Sequence, residues 1–399
     1  MSKPSLKSLN PLRFIKMDPR RDEIINSAEA KPVKKASEYK ANIINSALHP
    51  KKQFVKIKNV IERGSDVRSY VLVPNEAKGT KSLAYFSAGQ YLAVMLDVNG
   101  AKISRPYSIS SSPKEALEGK YVLTIKRVDG GLATNYILDN WDIGTEVELS
   151  APCGHFTYEP LRDAKTVVGL AGGSGITPFV SLAKAIVDGD EDASLTLIYG
   201  ARTERELLFK AELDDMAAKC EKIKTVYVLS DEDNENYEKG FITKDIITKY
   251  APEGEEYSIF MCGPQGMYEF LDKEIAELNI RQKFVRKELF GEYHNPEKND
   301  DYPDNVNPIV SITLNIKDKT YVIKGASADT ILTSIERAGI SAPARCRSGE
   351  CGFCHARLVK GKVYVPKSVD GRRLADFDYG YIHPCCTFAT TDIEIDLKA

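Results

Sequence analysis

A chain of 399 residues with 55 Lys plus Arg against 57 Asp plus Glu has a formal net charge of −2, which recommends neither nucleic acid nor an anionic membrane as a partner. With 42% hydrophobic and 28% charged residues it sits near the globular average, and at this length one hydrophobic core gives way to several, so three domains are expected. No apolar run approaches the roughly 18 residues that cross a bilayer, and the opening MSKPSLKSLNPLRFIK lacks the apolar stretch of a secretory signal, so the expected address is cytoplasmic.

Residues 1–51 form a basic, weakly patterned extension that contains an echo, Glu23-Ile-Ile-Asn-Ser-Ala28 and Asn42-Ile-Ile-Asn-Ser-Ala47. It is expected to drape over the surface or to dock a partner. Short β-rich runs follow at 54–61, 69–73, 90–97, 105–110, 121–128 and 146–151, spaced by turn residues, and predict a small antiparallel β-barrel over 52–160. Near residue 166 the pattern changes. Buried-type strands at 166–170, 195–200, 224–229 and 258–262 alternate with helical stretches, one of them marked by Met267, Phe270, Leu271, Ile275 and Leu278, which predicts an α/β domain with a parallel sheet over 161–292.

The segment HNPEKNDDYPDNVNP, within a linker of 293–308, has three prolines and several acids and is expected to be a solvated tether. A third domain, 309–399, opens with a hairpin of 310–316 and 321–324. Asp329 is the expected N-cap of a helix with Ile331, Leu332, Ile335 and Ala338 inside and Gly339 as its stop. A second hairpin, 356–359 with 362–365, and a closing strand at 393–397 complete it.

The eight cysteines are uneven: Cys153, Cys220 and Cys262 are isolated, whereas Cys346, Cys351, Cys354, Cys385 and Cys386 crowd the C-terminal domain. In a reducing compartment such a cluster points to metal before disulfides. The C-x4-C-x2-C spacing, with another Cys about thirty residues on, is that of a plant-type [2Fe–2S] loop. Gly349 and Gly352 let the backbone wrap closely and aim N–H groups at the sulfurs. A structural zinc would normally bring two separated C-x2-C knuckles, which the adjacent pair Cys385-Cys386 cannot form. His355 and His383 lie close by, as a Rieske-like His/Cys site would require, but with the Cys set complete they are expected to be surface or packing residues. Adjacent side chains in an extended segment point to opposite sides, so only one of Cys385 and Cys386 should serve as fourth ligand.

Four further strings carry chemistry. Arg105-Pro-Tyr107-Ser108 lies on a barrel strand, where a guanidinium, a flat phenol ring and a hydroxyl share one short segment. Gly130-Gly131-Leu132-Ala133-Thr134 falls between a strand and a probable helix and makes a backbone N–H nest for phosphate. Gly172-Gly173-Ser174-Gly175-Ile-Thr177-Pro178 closes the first α/β strand, with Thr177 expected as N-cap, where a dinucleotide pyrophosphate binds. Cys262-Gly263-Pro264 ends the last predicted strand of that sheet.

On Arg105–Ser108, the two glycine strings, Cys262–Pro264 and the cysteine loop, taken in order over roughly 52–399, the chain resembles the ferredoxin–NADP(+) reductase superfamily. Within it, the chain looks like the oxygenase reductase components that end in a ferredoxin domain. The resemblance implies an antiparallel β-barrel for flavin, an α/β parallel-sheet nucleotide domain and an α+β, ferredoxin-like β-grasp domain. It implies that Arg105 meets flavin phosphate, Tyr107 packs on the isoalloxazine, Ser108 hydrogen-bonds near N5, and Gly130–Thr134 contact the pyrophosphate. Cys262 would lie beside the nicotinamide, so that Tyr107, Ser108 and Cys262 are the expected catalytic set. Gly380-Tyr381 and Asp392 set a register in which Cys385, with Cys346, Cys351 and Cys354, ligates the cluster.

FAD is expected rather than FMN. NADH is favoured over NADPH, because Ser230-Asp231-Glu232-Asp233 would repel a 2′-phosphate, although Arg202 and Arg205 stand against this. The implied function is transfer of electrons from NADH through FAD and a [2Fe–2S] cluster, singly, to a separate acceptor protein such as an oxygenase component. The alternative is an obligate electron-transfer subunit of a larger complex.

Overall fold

The computed structural model describes Glu23, Lys35 and residues 38–98, 100–289 and 291–397, and the chain divides into two units, 1–47 and 48–399. In the first, α1 (Lys40–Leu48) carries the second copy of the echo and buries none of its residues. Residues 1–22, 24–34, 36 and 37 of the basic extension, and with them 24–28 of the first copy, lie outside the described residues.

In the second unit, apolar–polar alternation turns one face of each barrel strand inward. The strands are β1 (Gln53–Gly64), β2 (Val67–Pro74), β3 (Tyr91–Val98), β4 (Ala101–Ser108), β5 (Tyr121–Lys126) and β6 (Glu146–Leu149), all antiparallel, in the order β4-β3-β6-β1-β2-β5. An Ile109↔Leu123 bridge joins the two outer strands and closes the barrel. Tyr70, Leu72, Leu92, Val94, Leu123 and Leu149 fill it, fully buried, each contributing about 1.5–3 kcal/mol. The strand predicted at 105–110 begins earlier, at Ala101, because β3 folds straight back and Ala101 and Ile103 continue its alternation. α2 (Pro113–Leu117) starts on a Ser112/Glu115 capping box, and α3 (Leu132–Asn140) follows β5 with Gly131 at its N-cap.

The second sheet is wholly parallel, in the order β10-β9-β8-β7-β11-β12. Its elements are β7 (Thr166–Gly172), α4 (Thr177–Asp188), β8 (Ser194–Ala201), α5 (Lys210–Lys219), β9 (Ile223–Leu229), β10 (Glu238–Lys239), α6 (Lys244–Tyr250), β11 (Tyr257–Cys262), α7 (Gln265–Ala276) and β12 (Val285–Glu288). Two details depart from the sequence expectation. Thr177 is the first residue of α4 rather than its cap, because Gly173–Ile176 form a 3-10 turn that feeds the helix, and the Thr177 hydroxyl donates to Ser174 O at 3.1 Å. On α7 the buried face is Tyr268, Leu271 and Ile275, while Phe270 stays 36% exposed and Leu278 lies past the helix end. Tyr268 can be buried because its hydroxyl accepts from Gly263 N at 3.0 Å and donates to Glu288 O at 2.5 Å.

The third sheet runs β14-β13-β19-β15-β17, formed by β13 (Ile309–Ile316), β14 (Lys319–Ala326), β15 (Ala356–Lys360), β17 (Tyr381–Ile382) and β19 (Ile393–Leu397). β13 and β19 are parallel and the other pairs antiparallel. α8 (Ile331–Arg337) packs on it, capped by Thr330, whose hydroxyl accepts from Thr333 N at 3.1 Å; the predicted cap, Asp329, pairs with Arg337 instead. The predicted hairpin of 356–365 does not form. β16 (Val363–Tyr364) pairs with β18 (Phe388–Ala389), because the bulge at Lys360 and the bonds of Lys362 to Thr390 and Thr391 carry the chain across to that segment. α9 (Leu374–Asp378) precedes β17. The predicted tether is strapped to this domain: Asn299 Nδ2 donates to the Tyr364 hydroxyl at 3.0 Å, which donates to Asp301 at 2.6 Å, and Tyr302 meets the Tyr364 ring edge-on at 5.1 Å.

Candidate active site

β4 places Arg105, Tyr107 and Ser108 in one strand, so Arg105 and Tyr107 share a face and Ser108 turns to the other. Ser108 is 4% exposed and its Oγ has no hydrogen-bond partner among the described residues, which an acceptor or donor atom of a flat heteroaromatic cofactor would supply. Tyr107 is half-buried against the barrel core. Arg105 Nη1 donates to Ser104 O at 2.8 Å and to Glu336 Oε2 at 3.2 Å. The first-turn N–H groups of α3 have no side-chain cap, and Gly131 has no room for a Cβ, which would fall 2.7 Å from Thr134 Oγ1. That arrangement suits a pyrophosphate.

At the C-terminal ends of the parallel strands lies a cleft of about 560 Å³, lined by Gly172, Gly173, Arg202, Phe241, Pro264 and Phe270 among others. This is the ligand end of such a sheet. Gly175 is required by proximity: a Cβ there would sit 2.1 Å from Cys262 O, so the glycine turn and the Cys262-Gly263-Pro264 turn are packed directly together. Arg202 projects into solvent and is held by Glu206 at 3.1 Å, which offsets its charge. Cys262 is fully buried, and burial above all pushes its thiol well up, so it stays a thiol at neutral pH.

In the cysteine loop the Cys346 thiol is within hydrogen-bond reach of Cys351 and Cys385, and Cys385 also reaches Cys354. No described group of His, Cys, Asp or Glu encloses a single ion, whereas four neighbouring thiols are the donor set that would hold a [2Fe–2S] cluster. Backbone N–H groups of Cys351 and Phe353 donate to Cys346 Sγ at 3.4 Å and Cys351 Sγ at 3.5 Å. Cys386 touches Cys385 but turns its thiol to His383 O at 3.5 Å, away from the other three. Gly349, at φ +84°, admits no side chain because Val369 O would lie 2.2 Å from its Cβ.

These three places meet. Tyr91 is the cross-strand partner of Ser108, and burial first, with the Cys346 and Cys351 sulfurs next, pushes its hydroxyl well above the usual range. Ser104 Oγ donates to Ala344 O at 2.7 Å, pinning the cluster loop to β4. Glu288, at the end of β12, is 3% exposed, and the charged groups acting on it are Glu350 and Cys346; burial first, and these two next, push its carboxyl well above the usual range.

Three family models match: an oxidoreductase FAD-binding domain at residues 55–158, an oxidoreductase NAD-binding domain at 170–273 and a 2Fe-2S iron-sulfur cluster binding domain at 314–390. The chain is 32% identical to NADH-cytochrome b5 reductase 1 of Dictyostelium discoideum over 267 residues, 65% of this chain and 90% of that one. It belongs to the ferredoxin–NADP(+) reductase superfamily. A glycine betaine monooxygenase reductase subunit of Pseudomonas aeruginosa strain UCBPP-PA14 is 25% identical over 358 residues, covering 86% of this chain and 95% of that subunit. The fold of phthalate dioxygenase reductase superposes with a TM-score of 0.61 at 24% identity, over 87% of this chain and 98% of that one.

As a ferredoxin–NADP(+) reductase superfamily member with a third, iron–sulfur domain, the chain is an NAD(P)H-dependent oxidoreductase that passes electrons through FAD and a [2Fe–2S] cluster to a separate acceptor protein. The four cysteines named for the cluster come together, and so do the glycine turn of 172–175 and Cys262. Sequence reasoning missed Glu288, Tyr91 and the cleft-lining Phe241. For Glu288 a signal was present: a lone carboxylate closing a short strand, Val-Arg-Lys-Glu, before Leu289. No helix among the described residues is long and apolar enough to cross a membrane.

Proposed function

We propose that the chain is the NADH-dependent reductase component of a cytoplasmic oxygenase or hydroxylase system, with domains at 52–160 for FAD, 161–292 for NADH and 309–399 for the cluster. When bound, FAD takes a hydride from NADH and releases its electrons singly to the cluster. Arg105 and the N–H groups of 130–134 hold the flavin phosphates, Tyr107 covers a ring face, and Ser108 donates to the flavin near N5. The turn of Gly172, Gly173, Ser174, Gly175 and Thr177 cradles the NADH pyrophosphate, and Cys262-Gly263-Pro264 orients the nicotinamide. Cys346, Cys351, Cys354 and Cys385 hold the irons.

The observation that carries this reading is that the cluster loop is pinned to the flavin strand, by the Ser104 Oγ bond to Ala344 O at 2.7 Å and by Glu336, which accepts from both Arg105 and Arg347. NADH is favoured because Glu206 neutralises Arg202 and because Ser230, which lines the cleft, leads directly into the acidic run Asp231-Glu232-Asp233. The oxygenase partner is supported by relatives described as monooxygenase reductase components. The test is reduction of a purified oxygenase component, with cytochrome c as a surrogate, by the chain with NADH or NADPH. Reduction with NADH that is lost in Cys385→Ser, which still reduces ferricyanide, is expected. A kcat/KM at least about tenfold higher with NADPH, a difference of about 1.4 kcal/mol, would overturn the coenzyme assignment.

A further inference from the structure

A square of four charges, Arg347 and Glu336 buried and Arg105 and Glu292 half-buried, joins the flavin strand to the cluster loop. Arg347, beside Cys346, is wholly enclosed; its Nη1 donates to Glu336 Oε1 at 2.7 Å and its Nη2 bonds Glu292. Arg105 on β4 donates to the other oxygen of Glu336 at 3.2 Å and comes within 3.9 Å of Glu292. Thr333 Oγ1 donates to Glu292 at 2.5 Å. Burial would raise the Glu292 carboxyl, but Arg347, Thr333 and Arg105 hold it down at about 2, so it is charged at any working pH.

The four groups come from β4, the end of the nucleotide domain, α8 and the cluster loop, and their charges cancel. A buried arrangement of this kind adds little net stability compared with an apolar contact, but removing one member leaves another charge unpaired, so it fixes register. Glu336 is the member hydrogen-bonded to both guanidiniums. It is also 7% exposed, on a short helix of the third domain.

We propose that Glu336 is a positioning residue for flavin-to-cluster electron transfer, holding Arg347 and the cluster loop against Arg105 and β4 at one fixed separation. The inference rests on FAD lying along β4 and the cluster at the four thiols. Each transfer oxidises the flavin by one electron and reduces the cluster by one, and its rate falls steeply with distance. Hydride transfer from NADH to flavin does not cross this contact, so the two steps separate.

The test is stopped-flow reduction of the full chain, loaded with FAD and cluster, comparing Glu336→Gln, Glu336→Asp and the parent. In Glu336→Gln, flavin reduction by NADH stays within about twofold, while cluster reduction by flavin slows about tenfold or more, because the transfer falls steeply with the flavin-to-cluster separation that this contact fixes. The cluster EPR spectrum is unchanged, and Glu336→Asp restores part of the rate. An unchanged flavin-to-cluster rate in the loaded Gln variant, or equal slowing of both steps, overturns the proposal. If Glu336→Gln does not fold, the same split read in Glu292→Gln decides. An Arg105→Ala chain that keeps FAD and its normal reduction would instead overturn the flavin placement beneath it.

Discussion

The cluster loop and the nicotinamide–flavin junction are built on opposite plans. The loop draws three of its four thiols from nine consecutive residues and the fourth from the same domain, with backbone N–H groups of that loop donating to its sulfurs. The junction takes Ser108 from the barrel, Cys262 and Glu288 from the parallel sheet, and borders a loop from the third domain. The difference teaches where damage spreads. A change in the loop should abolish one cofactor and spare the other, whereas a change at the junction should alter a rate while leaving both cofactors bound.

The largest expected effect tests the loop. Cys385→Ser loses the cluster and with it cytochrome c reduction, while FAD stays bound and NADH still bleaches it; Cys386→Ser keeps an ordinary [2Fe–2S] EPR signal. The reverse pattern of the two variants would shift the ligand register by one residue. At the junction, Glu288 is enclosed opposite Cys262, and burial above all pushes its carboxyl up, so it works as a neutral, shape-filling group. Glu288→Ala should slow hydride transfer about tenfold by loosening the pocket, and Glu288→Gln should stay within a few-fold, both read by anaerobic stopped-flow with cluster content unchanged. Equal, large losses in both variants would assign the carboxyl a charged role.

A smaller effect is expected at the far end of the nucleotide cleft. Glu206→Gln frees Arg202 for a 2′-phosphate, raising kcat/KM for NADPH about three- to tenfold, up to about 1.4 kcal/mol, and leaving NADH nearly unchanged. The smallest lies outside both regions and calibrates them. Burial, with Glu159 and Asp190, raises the Glu191 carboxyl to about 7. The folded chain therefore holds a proton that the unfolded chain releases near its ordinary value of 4.5, and folding loses stability as pH rises from about 4.5 to 7. Glu191→Gln should gain about 1 kcal/mol at pH 8, allowing for partial exposure, and nothing at pH 4, by chemical denaturation.

The two plans also explain what could be read from the sequence. The cysteine loop is legible because its spacing is its geometry, and the strands of the parallel sheet are legible because runs such as Thr166–Gly172 are buried on both faces. Cys262 could be placed at a strand end, but its neighbour Glu288 could not be connected to it, because the adjacency is made by pairing β11 with β12 in parallel. Arg105 and Glu336 are 231 residues apart and meet only once two domains dock. The hairpin expected at 356–365 failed for a related reason: turn residues at Lys360-Gly361 were legible, but the competing partner at 388–391 was distant in sequence. The strap of 299–302 looked solvated because its polar side chains find their partner in Tyr364, some sixty residues on.

The most direct measurement of the whole path is an anaerobic titration of the purified chain with NADH, followed by absorbance and EPR together. Flavin and cluster should both be reduced, taking two electrons and one, so that bleaching ends near about 1.5 NADH per chain and a [2Fe–2S] EPR signal grows to about one spin per chain. A flavin that NADH cannot reduce, or a cluster that stays oxidised beside fully reduced flavin, would contradict electron flow from NADH through FAD to the cluster.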